Sequence, residues 1–149
     1  MEVIELVNLL NSKNNKIAHH SMEELRLISE KTNLVYPYMD QFIEMLDSDN
    51  SYVRTRGLIL IAANAKWDID YKIDEIINRY LKHITDKKPI TSRQCINMLP
   101  TIVQYKPELK EEIMTALSKA DITTYADSMQ PLVYKDIRET LEKIRTILS

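Results

Sequence analysis

Of the 149 residues one is glycine, Gly57, where average usage of about 7% would give roughly ten. Phosphate-cradling loops, dinucleotide fingerprints and type I′ hairpin turns all need a backbone without a Cβ. Their absence removes most nucleotide-binding folds and most hairpin-based β folds, and an all-α chain remains. The length suits a single domain spanning 1–149, with roughly two-thirds of its unfolded surface buried in a core.

The apolar residues recur with a helical period. In "YMDQFIEML" they fall at Tyr38, Met39, Phe42, Ile43, Met45 and Leu46, and in "IDEIINRYLKHI" at Ile73, Ile76, Ile77, Tyr80, Leu81 and Ile84. A longer period overlies the short one. Laying "LLNSKNNKIAHHSMEEL" over "MLDSDNSYVRTRGLILI" matches Leu10 with Leu46, Ser12 with Ser48, Ile17 with Val53 and Leu25 with Ile61, an offset of 36. A third copy, "HITDKKPITSRQCINM", sets Ile90 opposite Val53 and Arg93 opposite Arg56 at an offset of 37, and a weaker fourth starts at Leu117.

The pattern predicts helices over 2–11, 15–31, 37–46, 51–66, 71–85, 90–105, 108–119, 122–132 and 135–148, in about four pairs, with the last as a capping helix. Pro37, Pro89 and Pro107 fall at helix starts, where the missing N–H costs nothing. Pro100 lies inside the sixth helix and predicts a kink, or an early end and a restart.

The second unit carries Asp49, Val53, Arg54 and Gly57 in the order D-x-x-x-V-R with a small residue three places on; the third keeps Asp86 and Ile90 but has Thr91 for the Arg, and the first keeps Ile17 without the acid. In this the chain resembles the HEAT-repeat (armadillo-like) family over nearly its whole length. The stretches "YVRTRGLILIAANAKWD", "KIDEIINRYLKHITDKKPITSRQCI" and "DSMQPLVYKDI" are similar to a group of small bacterial HEAT-like proteins, some labelled after an iron–sulfur assembly scaffold. The resemblance implies an α-α superhelix, or solenoid, whose second helices line a concave face that binds a partner. One cysteine without a neighbouring histidine offers no cluster ligation, which takes several thiolates.

The corner "DSDNSYVRTRG", 47–57, places Asp47, Asp49 and Ser51 on alternate positions, as a calcium loop would. Such a loop needs Gly at its sixth position and Glu at its twelfth; counted from Asp47 these are Tyr52 and Leu58. The metal reading fails on those two residues. Asp49, Asn50 and Ser51 are instead expected to cap the following helix, with Asp49 attracting Arg54. Gly57, which costs roughly 1 kcal/mol against Ala inside a helix, is expected to be buried where a neighbouring helix comes close.

A formal charge of -2, signs interspersed, gives no footprint for nonspecific nucleic-acid binding. The start "MEVIELVNLL" does not read as a signal peptide, and no apolar run approaches the roughly 20 residues of a membrane span. With a single Cys95 and three His the expectation is a cytoplasmic protein without disulfide, metal or cofactor. Cys95, on an apolar-periodic helix, is expected to be a buried structural thiol, and the adjacent His19 and His20 to be surface residues.

The repeat register makes His20, Arg56 and Arg93 equivalent, with Glu24, Leu60 and Asn97 one turn later and Asn64, Lys66, Trp67 and Gln104 beside them. On a concave face the arginines could receive a carboxylate or phosphate of a protein or peptide partner; otherwise they pair with acids of their own surface. Trp67 is either a binding anchor or a wedge at the junction between repeats. With no nucleophile beside a recognisable base, no metal motif and no phosphate loop, the expected function is a noncatalytic interaction module, a scaffold or adaptor. The alternative is a nucleic-acid binder resembling HEAT-like DNA glycosylases, for which Trp67, Asp68, Arg56 and Arg93 would matter.

Overall fold

The computed structural model describes residues 1–147, and all regular structure among them is helical. Eight α-helices follow one another: α1 (Val3–Leu9), α2 (Asn15–Lys31), α3 (Met39–Met45), α4 (Ser51–Ala63), α5 (Lys72–Leu81), α6 (Pro89–Tyr105), α7 (Lys110–Lys119) and α8 (Gln130–Thr146). Single 3₁₀ turns at Tyr36–Tyr38, Ala65–Trp67, Lys82–Thr85 and Pro107–Leu109 adjoin them.

The corners repeat in chemical detail. Before α2, Ser12 Oγ accepts the Asn14 N–H (3.1 Å) and Asn14 Oδ1 accepts the N–H groups of Lys16 and Ile17 (3.0 and 3.3 Å). Before α4, Ser48 Oγ accepts the Asn50 N–H (3.1 Å) and Asn50 Oδ1 accepts the Tyr52 N–H (2.8 Å). Ahead of α6, Asp86 Oδ1 accepts the Lys88 N–H at 2.9 Å. Ser12, Ser48 and Asp86 therefore correspond, each accepting the N–H of the N-cap two residues on; Asn14 and Asn50 also cap with their own side chains, for about 1 kcal/mol each, whereas Lys88 makes no side-chain cap bond. Of the three candidates in the second corner, Asn50 is the N-cap.

Within each pair the second helix crosses the first at a small residue. Ser21 Oγ donates to the Leu6 carbonyl. Gly57 is buried, and a Cβ there would meet the Phe42 carbonyl oxygen and Met45 Cβ, both at 2.9 Å. Cys95 Sγ donates to the Tyr80 carbonyl at 3.6 Å. In all three the carbonyl lies fifteen residues before the small residue. Gly57 is thus the contact residue expected of it.

This geometry corrects the register of the third copy. The crossings are 36 and then 38 residues apart, and the corner residues Ser12, Ser48 and Asp86 keep the same two spacings, so the two added residues lie before Tyr80. The counterpart of Arg56 is therefore Gln94, not Arg93.

The chain forms two compact units, Met1–Ile73 and Asp74–Ser149. In the first, α1 packs on α2, α3 on α4, and α2 on α4, around fully buried Leu6, Met22, Leu25, Phe42, Leu58 and Ile61. In the second, α6 packs on α8, and α7 on both.

Two expectations about helices need correction. The helices placed at 122–132 and 135–148 are one helix, α8, preceded by a non-helical stretch from 120 to 129; Leu148 lies outside the described residues. The run Ile122–Thr123–Thr124 is poor helix material, and Asp121 Oδ1 accepts the Thr123 N–H (3.0 Å) in a tight turn. Gln130 Nε2 then donates to the Tyr125 and Thr123 carbonyls (2.8 and 3.3 Å), and Pro131 sits in the first turn of α8, where its fixed φ suits a helix start.

The second is the early end and restart of the sixth helix: α6 is one continuous helix across Pro100. Pro100 has no N–H for the Ile96 carbonyl. Thr140 Oγ1, buried on α8, donates to that carbonyl at 3.4 Å. Thr140→Val is expected to cost about 1–3 kcal/mol in urea unfolding, because a buried carbonyl loses its donor. In a Pro100→Ala background, where the backbone N–H returns, that cost should fall by at least half.

Candidate functional site

The residues expected on a common binding ladder have different fates. His20 is exposed and pairs with Glu24 one turn on, Nε2 to Oε1 3.0 Å. Arg56 is buried at 5% exposure and donates to the backbone carbonyl and side-chain oxygen of Asn15 (3.3 and 3.1 Å). Burial lowers its pKa, with Tyr52 acting in the opposite direction; a guanidinium nevertheless stays charged. Leu60 and Asn64 are fully buried, so they are core residues and present no binding surface.

Asn64, Lys66 and Trp67 close the end of α2. Its last carbonyls have no partner within the helix. Trp67 Nε1 donates to the Ser29 carbonyl (2.7 Å) and Lys66 Nζ to the Glu30 carbonyl (2.7 Å). Asn64 Nδ2 donates to Ser29 Oγ (3.1 Å) and to the Leu60 carbonyl (2.9 Å). Trp67, half-buried, thus ties the end of α4 to the end of α2. Asp68 is engaged likewise: Oδ1 accepts from Tyr36 Oη (2.8 Å) and the Lys72 N–H (3.0 Å), and Oδ2 from the Ile73 N–H (2.9 Å). Burial and the hydrogen bond to Asp68 push the Tyr36 pKa well up.

In the second unit, Arg93 Nε donates to Asp136 Oδ2 at 2.6 Å, and that bond raises the Arg93 pKa. Asn97 and Gln104 are exposed on α6. Of the two arginines, Arg93 is the one that pairs with an acid of its own unit. Cys95 is buried, and burial together with the charge of Asp86 drives its thiol pKa up, as a structural thiol requires. A buried corner forms around Asp86: His83 Nδ1 lies 2.7 Å from its Oδ2, and Tyr125 Oη donates to its carbonyl.

The feature that periodicity did not bring forward is an open cleft of about 810 Å³ in the first unit. It is lined by residues 1–4 at the chain start, by Leu27, Ile28 and Lys31 of α2, and by Thr32, Leu34 and Tyr38 after it. Met1, Ile4, Leu27 and Leu34 are exposed there, Leu27 at 53% and Leu34 at 59%. Leu27 carries a sequence signal. The buried face of α2 runs through Ala18, Met22, Leu25 and Ser29, and Leu27 is two residues from each of the last two, about 200° round the helix. It is an apolar residue on the side that should be polar.

No protein-family model matches the chain, and no curated protein or solved structure matches it. Among the described residues no group of three or more His, Cys, Asp or Glu is placed to hold a metal ion, and no helix is long and apolar enough to cross a membrane.

The two arginines should respond differently to removal of charge. Arg93→Met strands the Asp136 carboxylate, which is 9% exposed, and is expected to cost about 1–2 kcal/mol after allowance for solvent around Arg93. Arg56→Met leaves only neutral Asn15 groups behind and should cost less than about 1 kcal/mol. Urea midpoints of the two variants measured side by side check the order.

Proposed function

We propose that the chain is a noncatalytic protein-interaction module, a scaffold or adaptor built on HEAT-like helix pairs. The recurrence of the corner hydrogen bonds and of the helix crossings at spacings of 36 and 38 residues supports the repeat reading. The observation that carries the function is the open apolar cleft of the first unit. Solvent-exposed large apolar side chains scattered singly are ordinary, but a contiguous set lining a cleft marks a place where another apolar surface is received. A groove between helix ends suits the apolar face of a partner helix. The engaging surface is then the cleft at Ile4, Leu27, Leu34 and Tyr38, not the buried Arg56, Leu60 and Asn64.

Leu27→Asp with Leu34→Asp tests this. Both side chains are exposed, so stability should stay within about 0.5 kcal/mol of wild type. Tagged wild type is expected to capture from native lysate a partner, either untagged chain or another protein, that the folded double variant does not. Identical captures by both proteins would refute the reading.

A further inference from the structure

We propose that the occupant of the cleft is a second copy of this chain, related by a two-fold axis. This rests on the interaction-module reading and names its partner. The cleft carries two charges besides its apolar lining: Glu2 at the start of α1 and Lys31 in the last turn of α2. Both are exposed, and neither makes an ion pair among the described residues.

A two-fold interface uses one patch twice, so that whatever residue i meets on the other copy meets i in return. Such a patch must complement itself. One with a single sign of charge would repel its own image, whereas this one carries one acid and one base flanking Met1, Ile4, Leu27 and Leu34. The rotation brings each Glu2 towards the other copy's Lys31 and sets apolar lining against apolar lining. A partner of uniform charge would satisfy one of the two groups and oppose the other. Burial of the lining supplies the attraction, and the reciprocal charges set the orientation.

Sedimentation equilibrium of the purified full chain, from roughly 1 to 100 μM, tests the proposal. A species of twice the 17.5 kDa chain mass is expected, converting to monomer in Leu27→Asp. Glu2→Lys and Lys31→Glu should each raise the dimer dissociation constant about tenfold. Both changes in one chain, or an equimolar mixture of the two single variants, should return it to within about threefold of wild type, because every reciprocal pair is then again of opposite sign. Monomeric wild type at every concentration overturns the proposal, as does a dimer indifferent to Leu27→Asp or one that the paired charge changes do not rescue. A monomer that still captures a different protein in a Leu27-dependent way sinks the second copy alone and leaves the interaction reading. A Leu27-independent dimer together with Leu27-independent capture sinks both.

Discussion

The structure depends on how closely the second helix of each pair can approach the first. At Ser21, Gly57 and Cys95 the approach is to a backbone carbonyl fifteen residues earlier, and at Gly57 even a Cβ would lie 2.9 Å from that oxygen. Packed helices usually lie 8–10 Å apart, the distance being set by the residues at the contact; a small residue selects the near end of that range. Ser21 and Cys95 add a donor to the carbonyl, while Gly57 contributes only space. The N-cap positions Asn14, Asn50 and Lys88 fix where the second helix begins, each seven residues before the crossing. Cap and crossing together set which face of the second helix turns inward.

That coupling explains what could be read from the residues and what could not. The all-helical class followed from the lack of glycine and from the 3.6-residue period, and the role of Gly57 from the cost of a glycine inside a helix. Asn50 was legible as a capping residue because side-chain oxygens beside a helix start have few other uses. The third register was not legible. Arg93 matches Arg56 in type, but two extra residues precede Tyr80, ahead of the third corner, and such an insertion leaves no mark on the periodicity of the helices themselves. The merged last helix was missed because turn-forming residues at 120–129 lie between apolar ones at helical spacing, and local hydrogen bonds from Asp121 and Gln130 decide the outcome.

The site was misread for a related reason. Arg56 and Asn64 are polar residues on a helix whose neighbours come close on more than one side, and they are buried with neutral partners: Asn15 for one, Ser29 and the Leu60 carbonyl for the other. Polar type alone does not separate a buried hydrogen-bonding residue from a surface one. The apolar cleft lay where the expectation was solvent, and Leu27, out of phase with its helix, was its one local sign. What distinguishes the two regions is where their side chains lie: Arg56 and the Asn64 amide nitrogen are held by partners within the fold, with Asn64 Oδ1 buried and unpartnered among the described residues, whereas the apolar side chains of the cleft face solvent.

The central claim is that three helix pairs share one crossing, and replacing its small residue tests that claim most directly. Valine at each of Ser21, Gly57 and Cys95 is expected to lower the urea unfolding free energy by about 1–3 kcal/mol through overpacking against the facing carbonyl. Asn97→Val, exposed on α6, carries the same β-branched cost without the crossing and should stay within about 0.5 kcal/mol of wild type. A loss at Ser21 or Cys95 no greater than that of the Asn97 control would contradict a common crossing.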